Sequence, residues 1–311
     1  MADLTVALIG CGSMGQALLG CWANLIGVKI SAVCDADESL LSQAAASYGG
    51  VAAFRDFREM LAAGPFDIVT VCASLPERPA AIEAALRAGS HVLSEKPFAP
   101  TAEKSRFLAE LAEQQGRILM PAFAHRFHPP VLFAQELLDN DDIGRPTMFR
   151  ARFSGFWDEA ESRREGNVLT DTASNGIDLF RAFCGEVKSI TGKLATVRAD
   201  LSVPDTAALL LESESGALGV IEASWTSPGG RTVVEIYGTA GACLVDYNTG
   251  TLRFQNADSP LWQQREEGGP NRFERMTAHF ADAVRGLQTP LLTGADGARV
   301  AELCEEVMNS E

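Results

Sequence analysis

"LTVALIGCGSMG", residues 4–15, decides the first half of the chain. Residues 4–10 are apolar nearly throughout, as a parallel strand covered on both faces requires. Gly10, Gly12 and Gly15 follow at once, where a helical pattern begins. A GxGxxG is a weak signal alone, but after a strand and before a helix it reads as a dinucleotide-binding turn. Gly10 makes the tight turn, Gly12 lets a pyrophosphate approach the backbone, and Gly15 lets the helix pack closely on the strand. Ser13 and Met14 open that helix, whose N-terminus offers N–H groups and a positive dipole to phosphate.

Asp35 stands 20 residues after Gly15, at the end of the second strand. There a carboxylate accepts hydrogen bonds from a ribose diol and repels a 2′-phosphate. The surrounding "DADES" (35–39) offers no Arg or Lys to hold such a phosphate. NAD is therefore expected over NADP.

Outward from this turn, "KISAVCD" (29–35), "DIVTVCA" (67–73), "HVLSE" (91–95) and "RILMP" (117–121) read as further strands. Helical stretches lie between them, around 14–25, 38–48, 78–88 and 101–115. The last has Thr101 as N-cap, Phe107, Leu108 and Leu111 as a buried stripe, and Gly116 as a stop. Strand alternating with helix is the doubly wound pattern. Residues 1–122 are expected to form a Rossmann NAD-binding domain.

After Phe123 the grammar changes. A helix is predicted over 130–140, then the strand "TMFRARFSGF" (147–156) and a charged stretch at 157–167. Four β-rich runs, "VKSITGKLATVR", "TAALLLESESG", "ALGVIEASWTS" and "RTVVEIYGTAGACLVDY", alternate as strands with one wet face. Helices near 271–286 and 294–309 close the chain. The expected fold is α/β, with residues 123–311 forming a second α/β domain around a large, mostly antiparallel open sheet. "DTASNGIDLF" (171–180) spaces Asp171, Asn175 and Asp178 by four and three residues, so a helix there carries them on one face. The opposite row is apolar.

The 311 residues are 46% apolar and 22% charged, with a formal net charge of −15. That balance argues against nucleic acid, which needs a concentrated basic face, and against an anionic membrane surface. The seven cysteines are scattered without a CxxC, and read as buried small hydrophobes in a reducing cytoplasm. No metal site is expected. The first residues lack a basic n-region, and no apolar run approaches the length of a membrane span.

Glu95-Lys96-Pro97 follows the strand "HVLS", which places Lys96 at the carboxyl end of a strand, beside the ligand crevice of a doubly wound fold. Pro97 biases Lys96 to an extended backbone and allows a cis peptide. A lysine beside a positively charged nicotinamide, partly desolvated, is suited to act as general base toward an alcohol. Alone, it reads better as a surface lysine at a strand end.

"GCGSMG", "AGSHVLSEKPFAPT" (88–101), "RFHPPVLFAQELLDNDDIGRPTMFRARF" (126–153), "DTASNGIDLF" and the later "EASWTSPGGRTVVEIYGTAGACLVD" together resemble the Gfo/Idh/MocA oxidoreductases. The resemblance implies hydride transfer between nicotinamide and a sugar, cyclitol or related polyol. It implies Lys96 as the catalytic lysine, with Asp171 and position 175 matching an Asp-x-x-x-His motif whose His is here Asn175. Ser74 and Glu95 join Lys96 in the cofactor-facing set. His125 and Trp157 join Lys96, Asp171 and Asn175 in the substrate-facing set, Trp157 by stacking on a sugar ring. Asn175 donates and accepts hydrogen bonds but is no general base. An NAD-binding sugar sensor and a redox-neutral lyase or hydrolase using transient hydride transfer therefore stay open as alternatives. Arg78 stands where many relatives carry His, near the cofactor. Arg163 and Arg164 read as a solvated loop or as partners of a carboxylate or phosphate. The resemblance also implies a homodimer or homotetramer, paired across the open face of the sheet domain.

Overall fold

Six strands of the first unit line up in the order β3-β2-β1-β4-β5-β6, every neighbouring pair parallel. They are β1 (Leu4–Ile9), β2 (Val28–Cys34), β3 (Ala52–Phe54), β4 (Ile68–Val71), β5 (His91–Ser94) and β6 (Leu119–Pro121). The helices between them are α1 (Ser13–Ala23), α2 (Glu38–Ser47), α3 (Phe57–Ala62), α4 (Arg78–Arg87) and α5 (Ala102–Gln114). This computed structural model describes residues 3–155, 166–266 and 268–310. Trp157, Arg163 and Arg164 lie outside the described residues.

Continuous apolar runs make the inner strands two-faced. β4 is buried at all four positions, and Val6, Ala7 and Leu8 of β1 are fully buried. The strand order reverses between β1 and β4, so the crevice outside their carboxyl ends is where ligands bind in such sheets. Burying Trp22 leaves an indole N–H to satisfy, and Thr70 Oγ1 accepts it at 2.9 Å. In α5, Thr101 caps Lys104 N–H at 3.3 Å, and Gly116 beyond the helix has φ +62°. Leu108 and Leu111 are buried as expected. Phe107 is not: it is 38% exposed and carries the Lys104 ammonium over its ring at 4.1 Å.

The second unit holds an eight-stranded sheet in the order β14-β13-β12-β11-β7-β10-β9-β8. The chain supplies α6 (Pro129–Asp139), β7 (Pro146–Ser154), a wide π-helical turn over Leu169–Ala173, α7 (Ser174–Cys184), β8 (Val187–Ala195), β9 (Thr206–Ser213) and β10 (Leu218–Ser224). Next come β11 (Thr232–Gly238), β12 (Gly241–Asp246), β13 (Thr251–Asn256) and β14 (Ser259–Glu266). Its pairs are antiparallel except β7 with β10. Alternation sets the two faces. Phe149, Ala151 and Phe153 of β7 are buried under α7, while Arg150 and Arg152 point outward and pair with Glu235 and Glu222.

The run at 231–247 is a hairpin rather than one strand, and β13 and β14 extend the sheet beyond the predicted strands. α8 (Arg272–Val284) and α9 (Gly294–Asn309) end the chain. By contacts the units are Met1–Ala124 with Phe273–Ala301, and His125–Arg272 with Glu302–Glu311. Gly297 of α9 shows why small residues serve there: a Cβ would lie 2.5 Å from the Phe98 ring.

Candidate active site

The three glycines of the first turn answer to different neighbours. Gly10 has φ +94°, and a Cβ on it would sit 2.5 Å from the Cys72 carbonyl. A Cβ on Gly15 would lie 2.0 Å from Gly10 O. Both are glycine because the chain itself leaves no room. Gly12 is different, with nothing within 4 Å of its would-be Cβ. Gly12 is thus open to approach from outside the chain. α1 begins there with no side-chain cap and no acidic residue in its first turn, whereas Asp37, Asp56 and Thr101 cap α2, α3 and α5. The positive end of the α1 dipole, at Ser13 and Met14, is left to an anion.

Asp35 reaches back to this turn. Its Oδ2 accepts Cys11 N–H at 2.6 Å, and its Oδ1 accepts Asp37 N–H at 2.8 Å. Open approach at Gly12, an uncapped helix end and a carboxylate beside the loop fit the pyrophosphate and ribose of NAD. One basic group near this end escaped the reading of "DADES". Arg55, beyond β3, donates to Ala36 O at 3.3 Å and pairs with Glu38 at 3.4 Å. Only the β2–β3 pairing brings it there.

Lys96 follows β5 and is half-buried, with its amide donating to Glu95 Oε2 at 3.2 Å. The Lys96–Pro97 peptide is cis. Arg78 ties this loop to the one after β4. Its Nε donates to Ala73 O at 3.1 Å and its Nη1 to Pro97 O at 2.8 Å, with the residue only 8% exposed. Arg78 is thus a strut between two loops at the carboxyl ends of adjacent strands. Ser74, in the first of them, bonds Glu77 Oε2 at 3.1 Å. The nearby thiols stay protonated: burial, then the charge of Asp35, pushes Cys11 up to about 12. Burial raises Cys72 as well.

Asn175 and Asp178 of the polar row in "DTASNGIDLF" do not face water, because residues 173–180 are buried, while Asp171 is half-buried. Each member has a different partner. Asp178 is 1% exposed and receives Arg126 through two bonds, Nε at 2.7 Å and Nη2 at 3.1 Å. It is a buried ion pair with a structural task. Asn175 turns its amide nitrogen back onto Asp171 O and Thr172 O, both at 3.2 Å. Two carbonyl acceptors require the nitrogen on that side, so its oxygen is the atom directed elsewhere. Asp171 sits in the π-helical turn, a form often found at functional sites. Asn167, which the sequence reading passed over, caps this turn through its Oδ1 to Leu169 and Thr170 N–H at 3.0 and 3.1 Å.

His125 lies in a short turn after β6, with its ring edge-on to Phe153 and Tyr247 at 5.3 and 5.1 Å. His128, at the N-cap of α6, stacks flat on Tyr247 at 4.4 Å. Burial, then the charge of Arg272, lowers His128 from 6.5 to about 4. Among the described residues no group of three or more His, Cys, Asp or Glu is placed to hold a metal ion, and no helix is long and apolar enough to cross a membrane.

Residues 4–123 match the oxidoreductase family with an NAD-binding Rossmann fold, and residues 131–243 match the GFO/IDH/MocA C-terminal domain. The chain is 28% identical to a D-apiose dehydrogenase of Paraburkholderia graminis, over 96% of this chain and 85% of the relative. It is 31% identical to inositol 2-dehydrogenase 2 of Saccharopolyspora erythraea, over 94% and 86%. An oxidoreductase from Agrobacterium radiobacter, solved with NAD+, L-tartaric acid and magnesium, shares the fold with a TM-score of 0.92. That match covers 99% of this chain and 96% of that one at 22% identity. Matches that together span most of the chain place it in the Gfo/Idh/MocA family of NAD-binding oxidoreductases.

Proposed function

We propose that this protein is an NAD-dependent dehydrogenase acting on a secondary alcohol of a sugar, cyclitol or related polyol. The observation that carries the cofactor half is Gly12, a glycine that no neighbour in the chain requires, beside the Asp35 carboxylate. The substrate class rests on relatives that act on D-apiose and inositol.

Bound NAD supplies the hydride acceptor. Lys96 takes the hydroxyl proton as general base, held by the loop that Arg78 braces. Asp171 and the Asn175 oxygen accept hydrogen bonds from hydroxyl groups of the substrate and orient the carbon that is oxidised. Ser74, Glu95 and the Gly12–Ser13–Met14 turn face the cofactor, and His125 lies on the substrate side. Asn175 positions the substrate and leaves the proton to Lys96.

The same reading makes the protein a cytoplasmic homo-oligomer. None of its seven cysteines is in a disulfide, as in a reducing compartment. Exposed Met148, Leu218 and Tyr237 are register neighbours on β7, β10 and β11, flanked by Arg152 with Glu222, an apolar and charged face suited to a second copy.

The test is a panel of D-apiose, inositols, aldoses and sugar acids with NAD+ and NADP+, read by reduced-cofactor absorbance beside Lys96→Ala. NAD+-dependent turnover that disappears in the variant supports the reading. Tight NAD+ binding without turnover on any member would replace it with a sensor. Light scattering on the same sample reads the oligomer.

A further inference from the structure

Thr172 makes an unusual choice of partner. A helical Thr or Ser hydroxyl ordinarily donates back to the carbonyl three or four residues earlier. Ser174 does so, to Thr170 O at 2.8 Å and Asp171 O at 3.3 Å. Thr172 instead bonds its neighbour's carboxylate, Asp171 Oδ2, at 3.1 Å. Thr172 Oγ1 in turn receives Trp225 Nε1–H at 2.8 Å. An indole nitrogen only donates, so Thr172 Oγ1 must accept from it. The hydroxyl proton then points to the carboxylate, which can only accept when ionised.

We propose that Trp225 and Thr172 are positioning residues that act on Asp171 through a one-way hydrogen-bond chain, indole to hydroxyl to carboxylate. This inference rests on the reading of Asp171 as a substrate-binding group of the active site. Trp225 follows β10 directly and is buried, at 4% exposed. Its N–H, however, serves the turn that carries Asp171, 53 residues earlier.

Trp225 is itself anchored. Its amide donates to Asp205 O at 2.9 Å. The fully buried Asp205 carboxylate accepts Val197 N–H, Arg198 N–H and the Thr206 hydroxyl. The start of the chain is therefore fixed to the sheet, and its end fixes the plane of the Asp171 carboxylate. The Thr172 hydroxyl is one support of a carboxylate that stands on a wide π-helical turn.

The test is a double-mutant cycle of Thr172→Val and Trp225→Phe, with Thr172→Ser and Asp171→Asn beside it. Kinetics use NAD+ and the panel member with the highest wild-type turnover. Each single variant is expected to lower kcat about ten- to a hundredfold with KM for NAD+ unchanged. Thr172→Ser keeps the O–H and stays within about threefold. Adding Trp225→Phe to Thr172→Val should cost nothing more, since the indole acts only through that hydroxyl.

Turnover of Thr172→Val within about twofold of wild type overturns the chain, as does a full Trp225→Phe loss in the Thr172→Val background. If Asp171→Asn keeps full turnover, the reading of Asp171 itself falls. If Asp171→Asn is inactive while Thr172→Val is not, only the chain falls. Should Trp225→Phe fail to fold, exchange of the Trp225 indole proton decides: protected in wild type and Thr172→Ser, fast in Thr172→Val. Equal protection in all three overturns the proposal.

Discussion

The Asp35 carboxylate bonds Cys11 N–H at 2.6 Å with one oxygen and Asp37 N–H at 2.8 Å with the other. One side chain therefore locks the end of β2 to the glycine turn and to the start of α2. On the function proposed above, its charge in the same place would repel a 2′-phosphate.

Asp35→Ser should weaken NAD+ binding by about ten- to a hundredfold, the loss of charge-assisted bonds. Binding of NADP+ should strengthen, because the repelling carboxylate goes and Arg55 stands beside Ala36 O. Calorimetric titration with both nucleotides reads this. Unchanged NADP+ affinity would show that Asp35 is not what excludes a 2′-phosphate.

Glycine substitutions separate chain from ligand. Gly15→Ala drives a Cβ to 2.0 Å from Gly10 O, so the melting temperature should fall, by an overpacking penalty of about 1–3 kcal/mol or more. Gly12→Ala meets nothing and should melt like wild type. NAD+ should nevertheless stabilise it far less. A Gly12→Ala protein that binds NAD+ normally would remove the main support for the cofactor site.

Arg78→Ala leaves Ala73 O and Pro97 O without their donors, at about 1–3 kcal/mol for each buried group that stays unsatisfied. KM for NAD+ should rise and kcat should fall together, since the strut braces loops at β4 and β5. Arg78→Lys can reach only one carbonyl and should recover part of the loss. Steady-state kinetics on the two variants check this; identical values for Ala and wild type would make Arg78 a bystander.

His128 gives a pH dependence with a definite sign. Its folded value of about 4 lies below the usual 6.5, so the native state holds it neutral. Between those values the unfolded chain takes up a proton that the native chain refuses, and stability falls as pH drops from 6.5 towards 4. Burial lowers His91 and His279 in the same direction, so they share the effect. His128→Phe keeps a ring against Tyr247 and removes one titration. Its melting temperature should decline less over that window than the wild type's, and parallel curves would refute the assignment.

Much of the first unit was legible because its signals are short-range. β1, the glycine turn and Asp35 lie within 32 residues, and each inner strand declares itself by being apolar on both faces. Thr101 capped α5 as its sequence predicts. β3 is only three residues long, and β14 is exposed along nearly all its length, so neither has the apolar pattern by which strands are recognised. Asp171, Asn175 and Asp178 at helical spacing read as one polar face, yet residues 173–180 are buried throughout and Asp178 is taken by Arg126.

The chain alone thus determined the nucleotide-binding domain, the preference for NAD and the kinship with a family, since local patterning and glycine spacing suffice for those. Tertiary structure decided what each polar side chain does. Asp178 finds Arg126 across 52 residues, Arg78 finds Pro97 O across 19, and Trp225 finds Thr172 across 53. A buried polar atom must have a partner, but periodicity says only that it is buried. Which partner it meets depends on which strands and helices pack side by side, and that is settled by the whole core.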